Sequence, residues 1–382
     1  MNQPLRILQV LTIMNRGGAE TMIMNYYRNV DKTKVQFDFL LHRYEEGFFD
    51  EEIKSLGGKI YRMPAISPKN YFRYKKALFQ FFEEHPEYKI VHSHLNALSS
   101  IILQVAKSKK IPVRIAHSHL AVEPFVLKKI FVPNTDIIAT VKDSIQSLIR
   151  RRTRKYANHY FACGSKAGIW LYGKKNMDKV TIINNAIDSA KFTFNKKTRE
   201  KVRSHLQIPE GTKLIGHIGR FNEQKNHFFL IEIFRELVKL EPSAQLILIG
   251  DGNLRPKIES LTTKYSLRDK VHFLGLRNDI PDLLQAIDYL LFPSLYEGLP
   301  LTLIEAQAAG LKIIASSTIA KEVDLTGQIT FTSLNKPAES WAQLMADDLE
   351  YPRNNTHKLI VTGNYDIASN AKKLQQLYQK LL

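Results

Sequence analysis

The chain has 382 residues, 44% of them hydrophobic, a net charge of +18 and one cysteine, Cys163. That is enough for two or three domains with sizeable cores, and it excludes an intrinsically disordered chain or one held by internal disulfides. No apolar run reaches the roughly 18 residues of a membrane span.

The apolar opening "MNQPLRILQVLTIMNRGGAE" has no basic leader region and no small-residue cleavage site, so it is read as a first strand rather than a signal peptide. With the lone cysteine, that fits a reducing cytoplasm. The strand candidates in the first half are Leu5–Thr12, Val35–His42, Tyr88–Leu95, Val113–His119, His159–Ser165 and Lys179–Asn185. Those in the second half are Lys213–Arg220, Gln245–Gly252, Val271–Leu276, Tyr289–Ser294 and Lys312–Ser317. Several are unbroken apolar runs, the pattern of parallel strands covered on both faces. Longer helical patterns separate them, which predicts an α/β chain of doubly wound sheets. There are too many strands for one comfortable sheet. Charge divides the chain as well: residues 1–185 hold 30 of the 55 Lys and Arg and 15 of the 37 Asp and Glu, a net +15, which leaves +3 for the remainder. The polar run Asp188–Lys201 marks the boundary, and two Rossmann-like domains are expected. A basic half calls for an acidic partner, namely nucleic acid, anionic lipid or a phosphorylated ligand.

Seven stretches carry candidate chemistry. "NRGGAE" (Asn15–Glu20) follows the first strand and opens a helix, and Gly17 and Gly18 let backbone approach a ligand there, although the full dinucleotide fingerprint is missing. "VHSH" and "AHSH" place His92, His94, His117 and His119 at strand ends. An H-x-H pair raises the question of a metal, but the sequence offers no convincing third ligand, so no metal is expected. "LIRRRTRKY" (Leu148–Tyr156) crowds arginines opposite an expected apolar stripe of Ile145, Leu148, Ile149 and Tyr156. Lys69–Phe82 likewise mixes aromatics with Lys and Arg, a pattern suited to a membrane surface or an anionic ligand. "GHIGRFNEQKNH" puts Arg220 and Lys225 in a loop after a strand, where both can converge on a diphosphate. Finally, "SLYEGLPLTLIEAQAAG" reads as a strand end, a turn, a helix Pro300–Ala309 and a stop at Gly310. Its carboxylates, Glu297 and Glu305, flank a helix N-terminus. Each offers two acceptor oxygens to sugar hydroxyls, while the free N–H groups of the first turn suit an anion.

In this order and spacing, "NRGGAE", "AHSH", "NNAID", "GRFNEQKNH", "LILIGDG" and "LYEGLPLTLIEAQAAG" resemble the retaining family 4 (group 1) glycosyltransferases of GT-B architecture. The resemblance runs over nearly the whole chain. "MNRGGAETMIMNYYR" and "CGSKAGIWLYGKKNM" are similar to the glycosyltransferases of bacterial exopolysaccharide and capsule operons. It implies an acceptor-binding domain at 1–185, a nucleotide-sugar-binding domain at 186–365, and a last helix, 366–382, returning to the first domain. It also implies Arg220 and Lys225 on the donor diphosphate, Glu305 on the nucleotide ribose, and Glu297 on the donor sugar. Gly298, Leu299, Pro300, Leu301 and Thr302 join Glu297 around the donor. His119 lies near the transferring sugar, Gly17 and Gly18 come close to the diphosphate, and Leu276 meets the base. The family pattern N-G-I-D is here Asn185-Ala186-Ile187-Asp188; if that glycine takes a positive φ, Ala186 is strained or the turn differs.

The activity implied is a metal-independent, cofactor-free hexosyl transfer with retention, UDP being the favoured nucleotide. The acceptor is a saccharide carried on lipid at the anionic inner face of the cell membrane, where the protein would sit as a cytoplasmic peripheral enzyme; no specific nucleic acid is expected. Two other readings remain open on the sequence. One is a sugar-nucleotide epimerase on the same fold. The other is a non-catalytic basic nucleic-acid-binding protein, which explains the charge but leaves the second-half motifs unused and lacks the known recognition signatures.

Overall fold

The structure, a computed structural model, describes residues 3–119 and 147–382. Two compact units divide the chain: 1–186 with Ile367–Leu382, and Ile187–Asp366.

In the first unit the described strands form a seven-stranded sheet. They are β1 (Leu5–Leu11), β2 (Val35–Leu41), β3 (Ile60–Arg62), β4 (Ile90–Ser93), β5 (Val113–Ser118), β6 (His159–Ala162) and β7 (Val180–Ile182). All pairs are parallel, in the order β3-β2-β1-β4-β5-β6-β7. The sheet is buried on both faces, as parallel strands in α/β units are. Ile7, Phe37, Phe39, Ile90 and Ile115 pack on one side and Leu8, Val10, Leu40, Val91 and Ala116 on the other. Burying each of the larger side chains contributes ~1.5–3 kcal/mol.

The helix Ile367–Lys380 belongs to this unit although it follows the second in sequence. It buries Ile367, Asn370, Ala371, Leu374, Gln375 and Tyr378, a stripe at helical spacing. Leu374 and Tyr378 join the cluster around Ile7 and Phe37, and Tyr378 meets the Phe37 ring edge-on. Ala186 ends the unit without strain: it is buried, and its φ is not among the positive values of the chain.

The second unit contains β8 (Leu214–Ile218), β9 (Gln245–Ile249), β10 (Val271–Gly275), β11 (Tyr289–Phe292), β12 (Lys312–Ser316) and β13 (Ile329–Thr332). These parallel strands run in the order β10-β9-β8-β11-β12-β13. Both sheets reverse direction of winding once, between β1 and β4 in the first and between β8 and β11 in the second. Ligands of open α/β sheets sit beyond the carboxyl ends at such switch points. The strand ends that matter are therefore those of β1, β4 and β5, and of β8 and β11.

The expected strands are present, one to a few residues shorter. His42, His94, His119 and Arg220 leave their ladders for the loops. The sequence missed β3 and β13, both short edge strands. The helix expected from Pro300 begins at Leu301, with Pro300 as its N-cap, and runs to Ala308. Gly310 follows at φ +68°, a left-handed stop that costs a glycine little.

The apolar stripe expected around Leu148 forms only in part: Ile149 is half-buried and Tyr156 packs half-buried against the core. Ile145 lies outside the described residues, Leu148 is exposed, and the side chain buried from this helix, which covers 147–156, is Thr153. Arg150 and Arg154 turn inward and donate to the carbonyls of Trp170 (3.1 Å) and Tyr172 (3.3 Å). These residues lie in the last turn of the helix Ser165–Tyr172, where unpaired carbonyls attract cations. Arg151 and Arg152 are exposed. On the helix Tyr71–Glu84 the buried stripe is Tyr74, Leu78, Phe81 and Phe82, with Phe72 left 86% exposed beside the exposed Arg73. Among the described residues no helix is long and apolar enough to cross a membrane.

Candidate functional site

The second unit carries a cluster of charges at its switch point. The chain leaves β8 through Gly219 and Arg220 and enters a short 3-10 turn, Glu223–Lys225, whose N-cap Asn222 accepts a hydrogen bond from the Lys225 N–H at 3.2 Å. Asn226 then takes a left-handed conformation (φ 56°, ψ 44°), which Asn tolerates better than most side chains. The chain leaves β11 through Pro293–Pro300. The two loops are stitched together. Leu295 N–H donates to the Gln224 carbonyl at 2.8 Å, the Gln224 side-chain amide donates to the Tyr296 carbonyl at 3.0 Å, and the Asn226 side-chain amide donates to the Pro293 carbonyl at 3.2 Å. A rigid frame therefore holds the functional side chains.

Within that frame Lys225 Nζ lies 2.6 Å from Glu297 Oε1 and 4.7 Å above the centre of the Phe292 ring. Gln224 Nε2 donates to the other carboxylate oxygen at 3.3 Å. The pair is largely enclosed, with the two side chains 15% and 9% exposed. Arg220 is exposed, and its guanidinium makes no hydrogen bond or ion pair with a described residue. Glu305, in the second turn of the helix Leu301–Ala308, is the opposite of Glu297. It has no hydrogen-bonding or ionic partner among the described residues, and burial of its carboxyl pushes that group up to about 7.

Gly298, Leu299, Pro300, Leu301 and Thr302 form the head of this helix. Leu299 and Leu301 pack their side chains on the core, so what they present is backbone. The N–H groups of Gly298, Leu299, Leu301 and Thr302 have no backbone acceptor among the described residues, while Leu303 N–H closes the first turn on the Pro300 carbonyl at 3.0 Å. The strands beside β8 are tied edge to edge, Gly219 N–H to the Ile249 carbonyl at 2.9 Å and Gly250 N–H to the Gly275 carbonyl at 2.8 Å. Leu276 follows this edge and is 82% exposed.

The first unit places Gly17, Gly18 and His119 at its own carboxyl edge. Gly17 is the N-cap of the helix Gly18–Asn29, with ordinary extended backbone; a Cβ there would collide with the Glu20 carboxylate. Around Gly18 the space is open. His119 ends β5 beside three other histidines. His92 and His117 rings stack at 5.2 Å, and His94 and His119 centroids lie 5.1 Å apart. Burial pushes all four rings down, His119 to about 4, so they are neutral near pH 7.

The expectation that no third ligand would join an H-x-H pair is corrected by this geometry. Because β4 and β5 are neighbours in register, His92, His94 and His117 bring ligand atoms within 4.8 Å of one another. Each ring nitrogen of His92 and His94 is already engaged in a hydrogen bond.

Sequence reasoning missed Asn222, Gln224 and Phe292, which hold Lys225 and Glu297 in place. It also missed Gln9 and Tyr378, which reach the histidines.

Both units are similar to known proteins. Residues 198–326 match the family model "Glycosyl transferases group 1", and residues 16–191 match "Glycosyltransferase Family 4". The chain is 38% identical over 347 residues to the putative glycosyltransferase EpsF of Bacillus subtilis, covering 89% of this chain and 87% of that one. It is 25% identical to the capsular polysaccharide biosynthesis glycosyltransferase CapH of Staphylococcus aureus, over 82% of this chain and 81% of that one. Among solved structures it is similar to Anabaena HepE in complex with UDP, with a TM-score of 0.68 at 18% identity, covering 97% of this chain and 95% of that chain.

Proposed function

Because the chain belongs to the family 4 (group 1) glycosyltransferases and has their GT-B-type fold, we propose that it moves a hexosyl group from a nucleoside diphosphate donor to an acceptor hydroxyl with retention at the anomeric carbon, in exopolysaccharide or capsule assembly. UDP is the favoured nucleotide, in keeping with the UDP bound by HepE. The pathway follows the names of EpsF and CapH.

The observation that carries this reading is the charge pattern at the second switch point. Among the described residues Arg220 is an uncommitted cation, Lys225 is a cation held in a frame, and the helix head offers N–H groups with no backbone acceptor. Such a set fits a diphosphate and the charge that grows on it as the sugar leaves. Glu305 then accepts from the ribose hydroxyls, and Glu297 from the donor sugar. Arrival of the diphosphate gives Lys225 a second anionic partner and frees Glu297 for the sugar.

In the step itself, the bond from C1 to the phosphate oxygen breaks and the bond from C1 to the acceptor oxygen forms on the same face. The acceptor proton passes to the departing phosphate oxygen, and the nucleoside diphosphate leaves. Arg220, Lys225 and the helix N–H groups neutralise its charge, so no divalent ion is required and turnover persists in EDTA. The acceptor is a saccharide on a lipid carrier, held by the basic first unit at an anionic membrane surface.

A thermal-shift panel of nucleotide sugars, followed by product analysis, tests the reading. A cognate ligand at 100 times its Kd raises stability by about 2.7 kcal/mol, and the product carries an anomeric configuration matching the donor. An altered sugar nucleotide formed without acceptor would instead make the protein an epimerase, and a strict need for a divalent ion would move charge neutralisation to a metal.

A further inference from the structure

The four histidines of the first unit belong to a single hydrogen-bonded network with two members far away in sequence, Gln9 and Tyr378. Gln9 lies on β1 opposite His92 in register, and both are fully buried. Residues i and i+2 of a strand share a face, so Gln9, His92, His94, His117 and His119 all project from the face that carries Ile7, Ile90 and Ile115, against which Tyr378 packs.

Two branches meet at Tyr378. In one, its hydroxyl lies 2.6 Å from His92 Nδ1, and His92 Nε2 lies 3.1 Å from His117 Nδ1. In the other, Gln9 Nε2 donates to the same hydroxyl at 3.3 Å, Gln9 Oε1 lies 2.9 Å from His94 Nε2, and His94 Nδ1 lies 2.8 Å from His119 Nε2.

A neutral imidazole has one donor and one acceptor nitrogen, and a side-chain amide has one end of each kind. These bonds therefore cannot be ordered independently. With the Gln9 oxygen toward His94, His94 carries its proton on Nε2, and its Nδ1 accepts. His119 must then carry its proton on Nε2, which leaves its Nδ1 as an acceptor. Tyr378 accepts from Gln9 and so gives its own proton to His92. Turning the Gln9 amide over reverses every proton in both branches and converts His119 Nδ1 into a donor.

We propose that Gln9 and Tyr378 are positioning residues for His119: through His94 they fix its neutral tautomer, with the proton on Nε2 and Nδ1 left to accept a hydrogen bond from a sugar hydroxyl. The ring nearest the ligand is thereby set by a strand at the start of the chain and a helix at its end. The use of Nδ1 rests on the glycosyl-transfer reading and on the place near the transferring sugar that the family resemblance implies for His119; the tautomer does not.

The test uses the full chain labelled with 15N in its histidines, with His119 assigned by its loss in His119→Gln. Imidazole nitrogen shifts report which nitrogen carries the proton. His119 is expected to be protonated on Nε2 in the unsubstituted protein. Gln9→Met removes the acceptor of His94 and should move the His119 proton to Nδ1. Gln9→Glu keeps an acceptor oxygen and should restore it to Nε2. Tyr378→Phe deletes only a hydroxyl and should leave His119 as a mixture; it serves where Gln9→Met fails to fold. In kinetics, Gln9→Met should lower kcat by about tenfold or more with little change in donor KM, and Gln9→Glu should recover most of that loss.

A proton on His119 Nδ1 in the unsubstituted protein overturns the proposal, as does a tautomer indifferent to both Gln9→Met and Tyr378→Phe. If the tautomer moves and turnover does not, the network stands and the placing of His119 at the sugar falls.

Discussion

The two sheets end in edges of opposite electrical character. At the first, four histidines are held neutral by burial, and their ring nitrogens are largely spent on one another, on Gln9 and on Tyr378. At the second, charge is kept on Lys225 against Glu297 and on Arg220, which has no partner among the described residues; Glu305, also without a partner there, is raised by burial to about 7. The same topology, a parallel sheet with one reversal of winding, supports both. What differs is whether side chains at the strand ends satisfy each other. An edge that is internally satisfied can orient a polar but uncharged group. An edge with uncommitted charge attracts an ionic one.

The largest effect should come from removing the charge. Lys225→Ala and Arg220→Ala should each slow transfer by about 30- to 1,000-fold, equivalent to ~2–4 kcal/mol of transition-state stabilisation. Their effects on folding should differ. Lys225→Ala leaves the enclosed Glu297 without its cation, whereas Arg220 is exposed and can be lost without structural cost. Steady-state kinetics beside thermal unfolding separates the two. Near-normal turnover in either variant removes that residue from the diphosphate.

Because Lys225 and Glu297 touch, their substitutions should not add. Lys225→Met with Glu297→Gln should lose less than the sum of the single losses in unfolding free energy, by roughly 0.5–3 kcal/mol. Additive losses would show that the pair is incidental.

A smaller effect distinguishes the edges by pH. Glu305 is pushed up to about 7 from 4.5, so the folded protein binds this proton more tightly than the unfolded chain. Its contribution to stability is thus present at low pH and lost as pH rises from 4.5 through 7. Ribose hydroxyls favour the ionised form, so nucleoside diphosphate affinity should rise from pH 6 to pH 8 by up to about tenfold, with proton release. Glu305→Gln should flatten the part of the profile that belongs to this group. A profile identical in both proteins would mean that Glu305 does not meet the nucleotide.

The smallest effect concerns the surface of the first unit. Replacing the exposed Arg151 and Arg152 by Ser should weaken binding to anionic vesicles a few-fold, more at low salt than at high. Arg150 is left in place because it holds the Trp170 carbonyl. If the unsubstituted protein ignores anionic vesicles at low ionic strength, the membrane part of the reading is wrong.

Much of this was legible in the sequence, for physical reasons that also explain the gaps. Central parallel strands are covered on both faces, so β9 and β11 appear as the unbroken apolar runs Leu246–Ile249 and Tyr289–Phe292, while β1, β2, β5 and β8 are apolar runs broken by one to three polar residues. The edge strands β3 and β13 have three and four residues and only partial burial, and they leave no such trace. Glu297 and Glu305 were visible as a pair of acids around a helix start. That one is paired and the other bare was not visible, because the partner Lys225 lies 72 residues away. The arginines beside Leu148 were read as facing away from the core, because periodicity cannot see that the last carbonyls of another helix attract Arg150 and Arg154. The histidine network was hidden for a similar reason. Gln9 is a polar residue inside an apolar run, and Tyr378, 369 residues on, reads as one more member of an amphipathic face. Only strand register places them together.

The central claim is that the charged edge divides its work, Glu305 serving the nucleotide and Glu297 the sugar. Calorimetric binding of the free nucleoside diphosphate to the unsubstituted protein, Glu305→Gln and Glu297→Gln tests it most directly, because that ligand carries the ribose but not the donor sugar. Glu305→Gln should weaken binding by ~1–2 kcal/mol, the worth of a hydrogen bond to a charged group, while Glu297→Gln should bind almost as the unsubstituted protein does and lose kcat instead. Equal losses of nucleotide affinity in the two variants would contradict the account.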